Sequence, residues 1–275
     1  MYIKSMLLGL VQGLTEFLPV SSSGHLAIFK RLFGADTLAF PLSFDILLHI
    51  GTLIAVFAVY YRDIWELIRE FFAMVGDLLR GKPDFKSPYR RFVLMVIIAT
   101  IPAVFAGLVL NDFIESIAGE RLWLVGVCLF ITAAVLYISG RAPEGHLDMN
   151  SAGYGKSFIV GIFQAVAILP GISRSGSTIA GGQLCGFKKD FAVKFSFIMS
   201  IPTILGAAVL DFKDVLETGT LGIELAPALL GTLVAALSGF AAIKFLLRLV
   251  QNKKLYFFSI YCIIAGIFTI ILNFI

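Results

Sequence analysis

Apolar residues run along most of this chain in blocks long enough to cross a bilayer, and polar residues interrupt them at a few places only. A membrane-spanning helix needs ~20 such residues. Six segments meet that length: about 42–61, 90–110, 121–140, 192–210, 226–247 and 255–273. The segment 62–80, "RDIWELIREFFAMVGDLLR", instead mixes charged and apolar residues at helical spacing, which predicts an amphipathic helix at the membrane interface. Two further apolar stretches, 1–33 and 156–186, are broken midway by proline, glycine and serine, and neither half of either is long enough to cross alone. The pattern predicts an all-α polytopic membrane protein with six transmembrane helices and two re-entrant helical hairpins.

The two broken stretches resemble each other. "GLVQGLTEFLPVSSSG" from Gly9 aligns with "GIFQAVAILPGISRSG" from Gly161. Gly9 and Gly161, Gln12 and Gln164, Ser21 and Ser173, Ser23 and Ser175, and Gly24 and Gly176 all lie 152 residues apart, with Pro19 and Pro170 slipped by one. This density of matches predicts an internal repeat within one integral membrane domain, 1–275. Repeat one covers about 1–140, with its hairpin at 1–33; repeat two covers about 156–275, with its hairpin at 156–186.

Charge then sets the sidedness. If 62–91 lies inside, threading the spans puts 141–156, 186–194 and 244–254 there too, and sixteen of the 22 lysines and arginines with them. The outer side keeps Lys4, Lys30, Arg31, Arg121 and Lys213, beside the net acidic stretch "DFKDVLETGTLGIE". Three spans per repeat is an odd number, so the repeats run in opposite directions and their hairpins enter from opposite faces. Their tips can then meet near the midplane, where irregular backbone must be buried in protein or line a wet cavity.

Composition supports this picture. Residues are 59% hydrophobic and 15% charged, against about 25% charged in a soluble domain. The net charge of +4 follows from the inside loops and calls for no nucleic-acid partner. Cys128, Cys185 and Cys262 stand alone in apolar helices and read as small buried hydrophobes. Gln12 and Glu16 interrupt the N-terminal apolar stretch, which argues against a cleaved signal peptide.

The chemistry gathers at the breaks. A helix is predicted to end near Leu18 and to restart around Ser22 to Gly24, with a matching restart around Ser173 to Ser175. Serines suit N-caps, and a restarting helix offers free N–H groups and the positive end of its dipole, a natural anion site. Arg174 can grip a phosphate or diphosphate bidentately. Glu16 is costly at membrane depth and is a functional candidate for that reason. Gln12 shares its helix face, and His25 falls in the first turn or so of the restarted helix. Serine, histidine and glutamate beside an anion site make a phosphoryl-transfer set. Residue types alone leave two readings open. One is catalysis; the other is an anion site without reaction, in which Glu16 pairs with Arg174, as in a transporter or flippase of an anionic lipid. Asp45 and His49 share a face at the start of a span and are read as supporting or interfacial. His146 is expected to be solvated, Gln164 and Gln183 to pack hairpins, and Lys194 to belong to the inside charges.

These residues also carry a resemblance. "QGLTEFLPVSSSGH" and "LPGISRSGST" resemble the two motifs of the bacterial undecaprenyl-diphosphate phosphatases, the bacitracin-resistance family, and "FDILLHIGTLIAVF" and "FSFIMSIPTILGA" resemble its spans. The resemblance covers essentially the whole chain. It implies an inner-membrane phosphatase that removes the terminal phosphate of undecaprenyl diphosphate and returns the monophosphate carrier lipid to cell-wall synthesis. Bacitracin sequesters the diphosphate, so such activity confers resistance. The resemblance further implies a site open to the periplasmic side and a divalent cation, Mg2+ or Ca2+, with Glu16 as its carboxylate ligand. Ser22 becomes the nucleophile, His25 the acid/base or itself the nucleophile, and Arg174 the diphosphate clamp. Ser21, Ser23, Ser173, Ser175 and Thr178 become hydroxyl contacts. Gln12 stands where many members have a first glutamate and becomes a supporting, neutral contact. The expected partners are the lipid substrate, surrounding membrane lipid and a second copy in a homodimer.

Overall fold

The structure, a computed structural model, describes residues 1–33, 42–82, 84–110, 121–218, 224–251 and 255–274. Its helices are α1 (Tyr2–Phe17), α2 (Ser22–Phe33), α3 (Leu42–Leu79), α4 (Pro88–Val109), α5 (Leu122–Gly140), α6 (Tyr154–Val166), α7 (Arg174–Leu184), α8 (Lys189–Thr218), α9 (Leu225–Gln251) and α10 (Tyr256–Asn273). Among the described residues there is no strand, only an isolated bridge between Leu147 and Phe187. Six helices are long and apolar enough to cross a membrane: α3, α4, α5, α8, α9 and α10. At ~1.5 Å per residue, even the 18 residues of α10 reach across most of a ~30 Å hydrocarbon layer. This is a multi-pass membrane protein. The four remaining helices, of 11 to 16 residues, form the two broken pairs, α1–α2 and α6–α7.

The helix expected over 62–80 is present: α3 is two helices joined end to end, with non-helical backbone at Tyr60 (φ −112°, ψ 25°) separating the span from the charged stretch that follows it. Its charges explain why it does not lie free. Glu70 and Asp77, two turns apart on one face, each hold Arg90 at 2.8 Å near the start of α4. This latches the extension of α3 to α4.

Small residues bring the helices close, as packing within lipid requires. α1 runs along α9, and α6 along α4. A Cβ on Gly9 would lie 2.3 Å from the Gly231 carbonyl oxygen, and one on Gly161 would lie 2.3 Å from that of Ala99. Each broken pair therefore leans on a span from the other half of the chain. Phe17, fully buried, ends α1 edge-on to Phe197 of α8, with ring centroids 5.3 Å apart and planes at 84°. That wedge fixes the height of Glu16 just before it.

The segments expected to share the inner side lie together at one end. Arg91 donates to the Asn150 and Ala152 carbonyls, Lys194 pairs with Asp63 at 3.0 Å, and Lys188 pairs with Asp148 at 2.9 Å. Leu147 N–H donates to Gly186 O and Lys188 N–H to Leu147 O, which closes the bridge between two of these segments. Of the charges counted from sequence, the side chains of Lys30 and Lys213 and the residues Lys253 and Lys254 lie outside the description, as does 219–223 of the acidic loop.

Candidate functional site

The two breaks are built alike. In the first, Ser21 takes a left-handed φ of 71° and its Oγ accepts the Gly24 N–H at 3.2 Å, capping α2. In the second, Ser173 Oγ accepts the Gly176 N–H at 3.0 Å, capping α7. Ser21 and Ser23 touch through their hydroxyls at 3.2 Å, as do Ser173 and Ser175. The breaks also hold each other. Ser23 Oγ accepts the Gly171 N–H at 3.3 Å, and Ser175 Oγ donates to the Leu18 carbonyl at 3.2 Å. Third spans brace them from outside: Thr132 of α5 accepts the Ser173 N–H at 3.0 Å, and Cys262 of α10 reaches the Pro19 carbonyl.

Between the breaks lies a cavity of about 170 Å³, lined by Thr15, Glu16, Ser22, Ser23, His49, Ala167, Ile172, Ser173 and Arg174. Arg174 bridges the halves, its Nη2 donating to Glu16 Oε1. Glu16 Oε2 accepts from Ser22 Oγ at 2.8 Å and from Gln12 Nε2 at 3.1 Å. The carboxylate is 8% exposed, so it is desolvated and held by three donors, the arrangement a buried charge requires. On the two residues that hold Glu16 from α1 and α7, one buried polar atom each stays unmatched among the described residues: Gln12 Oε1 and Arg174 Nη1. The backbone N–H groups of Ser22, Ser23 and Arg174 also find no acceptor among the described residues, as expected of first-turn donors. One guanidinium and two helix N-termini thus face one polar space, a setting suited to a phosphate group.

The sequence-predicted residues separate into two groups. Glu16, Ser22, Ser23, Ser173 and Arg174 line the cavity. Ser21, Ser175 and Thr178 are buried in support: Ser21 caps, Ser175 bridges, and Thr178 bonds Ser196 at 2.6 Å and the Arg174 carbonyl at 2.8 Å. His25 is also off the cavity wall. Its Nδ1 meets the Ser21 carbonyl at 2.8 Å and its Nε2 the Tyr261 hydroxyl at 2.6 Å, so both ring nitrogens are engaged in holding the first break to α10. His49, read from sequence as supporting or interfacial, lines the cavity from α3. Helical spacing alone could not reveal that α3 packs beside α1 with this face inward. Gln183 does pack as expected, accepting from Ser139 at 2.7 Å, and His146 is exposed in its loop, also as expected. Gln164, by contrast, is buried with neither amide atom bonded among the described residues. Ile168 occupies the place that Glu16 holds in the first half.

Comparison with known proteins settles the family. Residues 5–268 match the family of the bacitracin resistance protein BacA. The chain belongs to that family. An undecaprenyl-diphosphatase of Alkaliphilus metalliredigens is 45% identical to the BacA chain over 273 residues, 98% of each. Another from Methanobrevibacter smithii is 45% identical over 269 residues, 96% of this chain and 95% of its own. A third, from Methanosphaera stadtmanae, is 41% identical over 276 residues, 98% of each. The matched region of this BacA family member takes in both breaks, five of the spans and most of the sixth.

Proposed function

We propose that the protein is a membrane phosphatase that hydrolyses undecaprenyl diphosphate to undecaprenyl phosphate and inorganic phosphate, recycling the carrier lipid of the bacterial inner membrane. The observation that carries this reading is the Ser22–Glu16–Arg174 chain: a hydroxyl on a carboxylate, and that carboxylate on an arginine from the opposite break. A hydroxyl bonded to a carboxylate is a nucleophile with a proton acceptor in reach. An arginine and free N–H groups beside it are placed to hold the charge of a transferring phosphoryl group. A passive anion site has little use for the serine–carboxylate pair.

In this reading the diphosphate enters the cavity, and Arg174 turns its unmatched Nη1 and its paired Nη2 to phosphate oxygens. Ser22 Oγ attacks the terminal phosphorus, its proton passes to Glu16, and the bond to the bridging oxygen breaks to release undecaprenyl phosphate. Water then cleaves the phosphoserine, and Ser22 recovers its proton. Ser23 and Ser173 orient the phosphates, while Ser21, Ser175, Thr178 and His25 keep the two breaks in register. About 170 Å³ holds only several waters' worth of volume at ~30 Å³ each, so the cavity suits the headgroup and the tail must lie outside it, along apolar helix faces.

A divalent cation, Mg2+ or Ca2+, fits the oxygens present: Glu16 and the orphaned Gln12 Oε1 suit a hard ion that takes its other ligands from phosphate and water. Among the described residues no cluster of three or more His, Cys, Asp or Glu exists, so the protein alone would not cage such an ion. When bound, it would neutralise charge on the diphosphate. The common packing of broken pairs on spans from the opposite half supports two re-entrant hairpins in an inverted repeat; the proposal has the site open toward the periplasm. A homodimer remains part of the proposal.

The test is phosphate release from undecaprenyl or farnesyl diphosphate by the purified protein with Mg2+ or Ca2+. Arg174→Ala, Glu16→Ala and Ser22→Ala are each expected to lose at least ~100-fold in kcat/KM while remaining folded. Labelled terminal phosphate is expected on Ser22 in rapid quench. No release by wild type, with diphosphate binding that still depends on Arg174, would turn the reading to transport.

A further inference from the structure

We infer that His49 is a further catalytic residue of this site, the base that takes the proton of the water cleaving the phosphoserine. The inference rests on the phosphatase reading above and adds a residue to it. That reading requires two separate proton acceptances, one from Ser22 and one from water, and Glu16 is poorly placed to serve both. Its Oε1 is bound by Arg174, and its Oε2 already receives Ser22 and Gln12. A carboxylate offers about four acceptor positions, and three are in use.

The two membrane-embedded histidines differ in what they have left to give. His25 donates from Nδ1 to the Ser21 carbonyl, because a carbonyl can only accept, and its Nε2 lone pair is then taken by the Tyr261 hydroxyl at 2.6 Å. His49 has the same Nδ1 arrangement, 2.8 Å from the Asp45 carbonyl, so its neutral ring also carries the proton on Nδ1. Its Nε2, however, meets no hydrogen-bonding partner among the described residues, and the residue lines the cavity with Glu16, Ser22, Ser23 and Arg174. An imidazole fixed at one nitrogen, bare at the other and lining the cavity that holds the reacting groups is the arrangement of a general base.

The ring is also well held. Thr52 Oγ1 donates to the His49 carbonyl at 2.7 Å, and the neighbouring Leu48 is buried against Leu8 of α1 and Ala235 of α9. A Cβ on Gly51 would lie 2.4 Å from the Thr232 carbonyl, so α3 sits hard against α9 and its facing is fixed. The balance is simple. One water O–H bond breaks as the water oxygen bonds phosphorus; the proton goes to His49 Nε2, the Ser22 Oγ–P bond breaks, and Ser22 takes back the proton held by Glu16. His49 then passes its proton to the departing phosphate or to solvent.

The decisive measurement is rapid-quench and steady-state kinetics of His49→Ala and His49→Gln with terminally labelled farnesyl diphosphate, with added imidazole for His49→Ala. Both variants are expected to lose about 100-fold or more in kcat with KM changed only a few-fold. They should accumulate more labelled Ser22 than the wild type and lose it more slowly, and imidazole should restore turnover to His49→Ala. A merely structural role would not give imidazole rescue or a trapped phosphoenzyme. Wild-type kcat in both variants, or a kcat loss with neither trapping nor rescue, would overturn the role of His49 while leaving the phosphatase reading standing. Absence of turnover by the wild type would instead remove the reading on which it rests.

Discussion

At the scale of single residues, the site depends on charges and caps that cannot be exchanged for near relatives. Arg174 forks between Glu16 and the space where phosphate would lie, and a lysine offers one point charge in place of that fork. Arg174→Lys is therefore expected to keep the fold, shown by an unchanged Tm, and to lose ~10–100-fold in kcat/KM. Ser173→Ala removes the only side-chain cap on α7 and is expected to cost ~0.5–2 kcal/mol of stability, read from denaturant or thermal unfolding in detergent. The residues of this scale were the most legible in sequence. Glu16, Ser22 and Arg174 stood out because polar groups in a lipid-embedded stretch demand a reason. His25 and His49 were ranked in the opposite order from their placement, because a histidine's task depends on which nitrogen is already bonded. That is a contact across helices and leaves no mark on spacing.

At the scale of elements, spans and breaks follow from hydrophobic length and from proline, glycine and serine, so among the described residues the helices and both restarts fall on the expected segments, with α8 running eight residues past the expected end at 210. What could not be read was the partner of 62–79: Arg90, twenty residues from Glu70 in sequence and 2.8 Å from it in space. The close packing of α1 on α9 and of α6 on α4 makes a paired prediction. Gly9→Ala and Gly161→Ala each place a methyl 2.3 Å from a backbone carbonyl oxygen, so each is expected to destabilise by roughly 1–3 kcal/mol. Equal neglect of both substitutions by the protein would show that the broken pairs do not seat as described. The loop clamp between Leu147 and Lys188 makes another. The Lys188 ammonium, first, and then the Ser151 hydroxyl and Asn150 N–H pull the exposed Asp148 carboxyl down to about 2. A depressed carboxyl stabilises the folded clamp above its ordinary range near 4, and that contribution fades as pH falls toward 2. Protection of the Lys188 amide from hydrogen exchange is expected to drop across that interval in wild type and to be low throughout in Asp148→Ala.

At the scale of the whole molecule, two halves of one chain meet at a polar cavity inside a largely apolar body. The 152-residue spacing already leads to the expectation that the two breaks meet, but spacing names none of the bonds that would join them. The link is made by bonds that cross the halves: Ser23 to Gly171, Ser175 to Leu18 and Arg174 to Glu16. The most direct measurement of the central claim is a double-mutant cycle on kcat/KM for undecaprenyl diphosphate hydrolysis, using Glu16→Ala, Arg174→Ala and the pair together. One shared site predicts that the double variant loses little more than either single variant. Losses that multiply, as for independent groups, would contradict a common site formed by the two breaks.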